Sequence, residues 1–404
     1  MNKFPTIKLE EVATITDCPH STPKWVDGEG VFAVRNFNLL DGRIVKDRAS
    51  FVSTETYTKR TRRAAPQRGD SILSREAPIG SVGYVNNDDR MCLGQRVVLI
   101  HPNDKIDGRF LVYQLLSPYV QNQFKQSDGT GAVVSNLRIP LLKRIQIRYP
   151  NIKTQKKIGN IIATYDDFIE NNEKRIAALE QLARCLYVEW FVNFKFPGHK
   201  RMKMVDSEST FDSIPSGWKV ATIGDIANEI RDTVSPNNLE PSTAYVGLEH
   251  IPRKKIILSD WGQVSEVQSN KLEFVSGDVL FGKIRPYFHK VVTAPMRGVA
   301  SSDTIVIRAR DKKYQFLVLL AVSGENFVAY ATSCSQGTKM PRADWKSMSK
   351  YPILIPDEGL LEDYSNRMMR IISFMNSLMF QNRCLSEIRN LLIRQLSGGK
   401  HALK

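Results

Sequence analysis

Two aspartates raise the question of chemistry first. Asp70, in RGDSILS, and Asp278, in SGDVLFG, each follow a glycine and enter an apolar run. Paired carboxylates could hold a divalent metal for phosphodiester hydrolysis. A Gly-Asp step entering a strand is ordinarily a turn, however, and no Glu-x-Lys follows either one at a useful distance. The six histidines form no H-x-x-x-H and no His/Cys pair at zinc spacing. There is no G-x-x-x-x-G-K-[ST] phosphate loop, Gly129-Thr130-Gly131 being too short, and no Asn-Pro-Pro-Tyr or Asp-Pro-Pro-Tyr motif for amino methylation. These residues predict no catalytic site, no metal site and no cofactor bound by this chain.

Recognition is the chemistry that remains. Base edges are read by Arg, Lys, Asn and Gln presented on short elements, whereas phosphates accept any cation or backbone amide. Candidates in the first half are Arg35, Asn36, Arg75, Gln95, Arg96 and, in the SDGTG loop, Thr130. In the second half they are His250, Lys283, Arg285, Tyr287, Thr338, Lys339 and Arg342. Arg75 aligns with Lys283, and the two Gly-Thr turns align with each other. The runs KRTRR (59–63), RKK (253–255) and RDKK (310–313) read as mobile loops that could touch phosphate.

Such loops need elements to hold them. Short β-like runs (Val31–Val34, Ser71–Ser74, Val97–Ile100, Ile145–Tyr149) are separated by Gly, Pro, Asn and Asp turns, and one helix is expected from Gly108 to Gln123. The programme then repeats. RGDSILSREAPIGSVGY from Arg68 aligns with SGDVLFGKIRPYFHKVV from Ser276 at an offset of 208 residues, and QRVVLI from Gln95 falls on DTIVIR from Asp303.

Each half closes on a long amphipathic stretch. Ile158, Ile162, Tyr165, Ile169, Asn172, Ile176, Leu179, Ala183, Leu186 and Trp190 alternate steps of four and three, the seam of a helix packed lengthwise on another, with a stop at Pro197-Gly198. Tyr364, Met368, Ile371, Met375, Leu378, Asn382, Leu385, Arg389, Leu392 and Leu396 repeat the steps; Arg389 is the misfit, with Ile388 beside it able to take the contact. The shared phase favours a paired rod, and because both helices follow their domains a pseudo-two-fold axis would run them antiparallel, with Ile158 level with Leu396 as the expected register. Tyr187, Trp190 and Phe191 crowd with Phe194 and Phe196 at one helix end, too many rings for a single partner helix, and are expected to dock another protein.

The expected architecture is α+β, with two strand-rich mixed domains related by a pseudo-two-fold axis and separated by two long antiparallel coiled-coil helices. The expected boundaries are a first recognition domain at 1–150, a spacer helix at 151–198, a linker at 199–216, a second recognition domain at 217–356 and a second spacer helix at 357–404. Composition agrees. A chain of 404 residues has room for these parts, and a net charge of +15 suits a polyanionic partner. Five scattered cysteines without a C-x-x-C pair read as reduced thiols, and no apolar run approaches membrane-spanning length, so a soluble, cytoplasmic protein is expected.

The sequence resembles the specificity subunits of type I restriction–modification systems. The resemblance rests on YVEWFVNFKFPG (187–198), IPSGWKVATIGDIA (214–227), YVGLEHI (245–251), the Gly-Thr turn before each long helix, and LSEIRNLLIRQLSGGK (385–400). It implies two target-recognition domains, each reading half of a bipartite DNA site and held apart by the helices. It also implies double-stranded DNA, two methyltransferase (modification) subunits and nuclease–translocase (restriction) subunits as partners, with S-adenosylmethionine, ATP and Mg belonging to those subunits. One departure is plain: the second helix begins DEGLLEDYSNRM and lacks the glutamine of TQKKIGNI. Two other readings stay open at this point, a metal-dependent nuclease with a cryptic carboxylate site and a coiled-coil structural or RNA-binding protein.

Overall fold

The computed structural model describes residues 4–46, 49–126, 136–207, 210–337 and 339–396. Two compact units emerge, one formed by Met1–Asn171 with Asn382–Lys404 and the other by Asn172–Gln381. The division cuts through both long helices, so each unit owns one strand-rich domain and one stretch of helix pair.

In the first unit, Ala13–Asp17, Val97–Pro102, Ser71–Ser74 and Val82–Tyr84 form an antiparallel sheet in that order. Ser71–Ser74 is buried at every position, as are Val97–Ile100, which is why these strands read as continuous apolar runs rather than alternating ones. A second sheet has the order Met91–Leu93, Val31–Val34, Phe51–Val52, Trp25–Val26, its first pair parallel. The second unit rebuilds the first of these sheets from Ala227–Ile230, Thr304–Ala309, Val279–Gly282 and Val291–Thr293. The parallel pair recurs between Gly298–Ala300 and Ala244–Val246, but this sheet has a fifth strand and a different order around it. The duplication seen in the sequence is therefore a duplication of topology in the first sheet, with divergence in the second sheet and in the hairpin Leu39–Leu40 with Arg43–Ile44, which belongs to the first unit.

The Gly-Asp steps are turns. Gly69 (φ +103°) and Gly277 (φ +93°) occupy the region that favours glycine, and each following aspartate accepts a backbone N–H from three residues back, from Gln67 and Val275 respectively, at 2.8 Å. The remaining carboxylate capacity goes to His101 Nδ1 at 2.6 Å from Asp70 and to a bidentate Arg308 at 2.7 and 2.8 Å from Asp278.

Three expectations need correction. The single helix expected over 108–123 is two, Gly108–Leu116 and Pro118–Gln126, because Pro118 pushes Ser117 into extended backbone (ψ 147°). The stretch expected as a featureless linker at 199–216 contains an antiparallel pair, Met204–Asp206 with Ser213–Pro215. The first long helix runs Ile152–Tyr187, widens into a π turn at Val188–Val192, and ends at Phe194 (φ +55°), three residues before Pro197.

Every seam position named in the sequence is buried or half-buried in the two long helices, Ile152–Tyr187 and Glu358–Leu396. Pairing is antiparallel within each unit. In the first, Ile158 and Leu396 share one core, and Asn382 Nδ2 donates to Ile169 O at 3.4 Å. In the second, Asn172 Nδ2 meets Gln381 Oε1 at 3.5 Å, the Arg175 guanidinium lies 5.0 Å from the Phe374 ring centre, and Trp190 packs on Tyr364 at 5.8 Å. Arg389 itself, not Ile388, takes the misfit position: Arg389 is 2% exposed and Ile388 is 36% exposed.

The glutamine difference at the helix starts also resolves. Gln155 is fully buried, accepts from Asp107 N at 2.9 Å and donates to Pro150 O at 2.8 Å, tying the helix to the cap of Gly108–Leu116. Gly159 lets that cap approach, since a Cβ there would stand 3.0 Å from Phe110 N. The position equivalent to Gln155 in the second helix is Leu361, buried in the apolar core. Among the described residues no single helix is long and apolar enough to cross a membrane.

Candidate nucleic-acid interface

In the first unit four loops leave the sheets and converge. Asn36 Nδ2 donates to Ala77 O at 2.8 Å, joining the loop after Val31–Val34 to the loop after Ser71–Ser74. Gln95 Nε2 reaches Thr22 Oγ1 at 2.9 Å and His20 O at 3.3 Å, joining the loop before Val97 to the one after Asp17. Arg96 (φ +66°) lies 3.6 Å from Glu76 and keeps about half its side chain in solvent. Arg35 stacks its guanidinium on Trp25 and Phe37, 5.1 and 4.7 Å from the ring centres. The sequence-predicted residues Arg35, Asn36, Arg75, Gln95 and Arg96 thus sit together.

Arg75 stands apart in role. It is buried, its Nη1 pairs with Asp17 at 2.5 Å and its Nη2 donates to Asn136 Oδ1 at 3.2 Å. Its guanidinium binds two loops together instead of facing solvent. A second organiser was hidden in the KRTRR run. Arg60 is buried at the end of helix Thr54–Arg60 and donates to the carbonyls of Leu93, Gly94, Ser21 and Pro19 at 2.8–3.1 Å, which fixes the loops that carry Gln95 and His20. The expectation of a mobile basic loop fails there because four carbonyl oxygens at two loop ends need a donor.

The second unit repeats the frame with other side chains. Arg75 N donates to Arg96 O, and Lys283 N to Asp303 O, so the structure matches Asp303 to Arg96 and shifts by one residue the alignment that laid it on Gln95. Leu137 N donates to Arg75 O, and Ala343 N to Lys283 O. Glu76 bridges Asn136 as Ile284 bridges Arg342. On this scaffold Lys283 is half-buried, Arg285 (φ +51°) lies 5.8 Å from the Phe288 ring centre, Tyr287 is 51% exposed, and Lys339 and Arg342 are exposed. His250 accepts from Gly247 N at 3.0 Å through Nδ1 and packs edge-on against Tyr245 at 5.9 Å. Thr130 and Thr338 lie outside the described residues.

The other basic runs are also engaged. Arg253 covers the Phe288 ring at 4.0 Å, Lys254 pairs with Glu325 at 2.7 Å, Arg310 donates to Gly224 O at 2.8 Å, and Lys313 pairs with Glu358 at 2.6 Å. They shape the fold more than they decorate it.

The aromatic residues expected to dock a partner are corrected by their burial. Trp190 and Phe191 are 5% and 6% exposed, and Tyr187 stacks on Phe191 at 5.4 Å. Phe191 meets Tyr364 at 4.7 Å and Trp218 at 5.7 Å, so the cluster is core of the second unit. The supply of rings from Trp218 and Tyr364, distant in sequence, is what the helix alone could not reveal.

Among the described residues no group of three or more His, Cys, Asp or Glu is arranged to hold a metal ion. The geometry is that of two presentation frames, equivalent in backbone and different in side chain.

Comparison with known proteins agrees with that geometry. Residues 1–181 match the family model described as the type I restriction modification DNA specificity domain. The MjaIX type I specificity subunit of Methanocaldococcus jannaschii is 24% identical over 82% of this chain and 78% of its own length. The HindI specificity subunit of Haemophilus influenzae is 24% identical over 83% of this chain and 87% of its own. The crystal structure of the S subunit of a type I restriction–modification system from M. genitalium superposes with a TM-score of 0.57 at 13% identity, covering 97% of this chain and 96% of that one, which shows the shared fold. Residues 1–181 are thus similar to the type I restriction modification DNA specificity domain, and most of the chain is similar to type I specificity subunits.

Proposed function

We propose that this chain reads DNA sequence for a type I restriction–modification complex, with each unit recognising one half of a bipartite, gapped duplex site. One observation carries the reading: the two loop clusters share their backbone hydrogen bonds while the side chains on them differ, Arg96 against Asp303 and Asn136 against Arg342. A duplicated frame with different side chains suits a reader of two different half-sites. Exposed Arg96, Lys339 and Arg342 are the cations best placed for bases or phosphates.

The chain itself catalyses nothing in this reading. Asp70 and Asp278 are saturated by backbone N–H groups, His101 and Arg308, which favours a structural role for them over a nuclease site. Methylation belongs to two modification subunits and cleavage to restriction subunits, with S-adenosylmethionine, ATP and Mg held there. The modification subunits dock along the long helices, where Phe168, Leu182, Met369 and Leu391 remain exposed and Phe374 and Phe380 are partly so. The helix pair sets the gap between half-sites.

The test is to express the chain with its modification subunits in a host lacking that methylation and to sequence the modified genome. A gapped two-part motif that disappears with this chain supports the reading. A continuous motif, or methylation independent of this chain, counts against it.

A further inference from the structure

Phe37 is an exposed aromatic held in a fixed place. It forms the middle of a single 3₁₀ turn, Asn36–Asn38, and both neighbours are anchored. Asn38 is fully buried; its Oδ1 accepts from Arg35 N at 3.0 Å and its Nδ2 donates to Val45 O at 2.9 Å. Asn36 donates to Ala77 O at 2.8 Å and accepts from Phe37 N at 3.0 Å. Clamped on both sides, the turn presents the Phe37 ring with 40% of it in solvent, next to the Arg35 guanidinium and to Trp25, itself 39% exposed.

Leaving two large rings exposed forfeits hydrophobic stabilisation, and clamping a loop forfeits conformational entropy; ligand binding recovers both when the ligand is flat and apolar on its faces. The Arg35 guanidinium lies against both rings, Lys24 precedes Trp25 in the chain, and the net charge of +15 matches a polyanion. The ligand class that combines flat faces with negative charge is the nucleobase on its phosphate backbone. Stacking of bases on aromatic and guanidinium planes, and insertion of apolar wedges between base pairs, both use these side chains.

We propose that Phe37, backed by Arg35 and Trp25, is a base-stacking wedge that enters the half-site read by the first unit and unstacks one base step. This rests on the DNA-reading function proposed above. In the second unit His250 stands where Asn38 does, accepting from Gly247 N as Asn38 accepts from Arg35 N, so the position equivalent to Phe37 is Glu249, an exposed carboxylate with no ring to stack. Unstacking is therefore expected in one half-site only.

The experiment uses the complex of this chain with its modification subunits and a duplex bearing its methylation motif. 2-Aminopurine is placed singly along the first unit's half-site, at positions other than the methylated adenine. Binding of the native complex should change the fluorescence at one position. Phe37→Ala should abolish that change and weaken binding by roughly 5- to 100-fold, while Phe37→Trp restores both. Binding and fluorescence unaltered by Phe37→Ala would overturn the wedge and leave the DNA-reading function standing, because the motif itself would still be methylated. If the chain directs no methylated motif at all, the DNA-reading function fails and the wedge falls with it.

Discussion

The Arg389 guanidinium stands 2.8 Å from the Asp166 carboxylate at a seam position of the paired helices, where heptad spacing calls for an apolar side chain. Asp166 also accepts from Tyr113 Oη at 2.7 Å, and Arg389 reaches Asp41, at the tip of the hairpin beyond Asn36–Asn38, at 3.4 Å. The arginine joins both helices of the first unit to a loop of its strand-rich domain. Burial and the Asp166 contact push the Tyr113 hydroxyl far above its ordinary pKa, so it stays a donor. Arg389→Ala leaves Asp166 with the Tyr113 hydroxyl but no compensating cation, and should cost about 3–5 kcal/mol in chemical denaturation of the complex. The triple change Arg389→Met, Asp166→Leu, Tyr113→Phe should recover most of that stability. Equal losses from both variants would show that the network is not what Arg389 contributes.

Arg75 and Arg96 should separate by role. Arg75→Ala breaks a buried pair with Asp17 and should lower stability by about 3 kcal/mol while reducing methylation at every site alike. Arg96→Ala, on an exposed side chain, should change stability by about 0.5 kcal/mol or less and relax one position of one half-site. Thermal melting and methylation-motif sequencing of both variants decide it. A relaxed motif from Arg75→Ala would reverse the assignment.

His289 supplies a pH dependence. Its ring is buried, Nε2 donates to Ser323 O at 2.8 Å, and burial holds its pKa below the ordinary histidine value. A depressed folded-state pKa means the unfolded chain binds the proton first as pH falls. The stabilising contribution is complete above about pH 6.5, the unfolded value, and is lost as pH drops toward the folded value, at up to about 1.4 kcal/mol per pH unit. His289→Gln keeps a donor for Ser323 and should flatten the melting temperature between pH 7.5 and 5.5. An identical slope in the two proteins would exclude His289 as its source.

Much of this fold was legible because its signals are local and repeated. The long helices carry their seam in every turn, and the Gly-Asp turns, the strands at Ser71 and Val97 and the duplication all lie in contiguous residues. What escaped were arrangements whose partner is remote in sequence. Arg389 looked like a misfit because Asp166 and Asp41 cannot be known to face it from spacing alone. Arg60 looked like one of a mobile run until four carbonyls from two loops surrounded it. Trp190 and Phe191 looked like a docking surface because the helix does not reveal Trp218. The candidate recognition residues are legible only as types, Arg, Asn and Gln beside turns, while the contacts each makes depend on loop geometry, as the contrast of buried Arg75 with exposed Arg96 shows.

The helix pair should behave as a ruler. A heptad inserted after Arg175, with a second at Phe374, preserves the seam phase and lengthens the pair by about 10 Å. At about 3.4 Å per base pair the gap in the methylated motif should grow by roughly three base pairs with both half-sites unchanged. Inserting two residues instead should break the seam and abolish methylation. A motif with its original gap after the heptad insertion would remove the helices from spacing.

The most direct measurement is the methylated motif of a host in which residues 217–356 of this chain have been replaced by the equivalent domain of a relative with a different motif. Two independent readers predict that one half of the motif changes to the donor's while the other half stays as it was. A motif altered in both halves, or in neither, would contradict the assignment of one half-site to each unit.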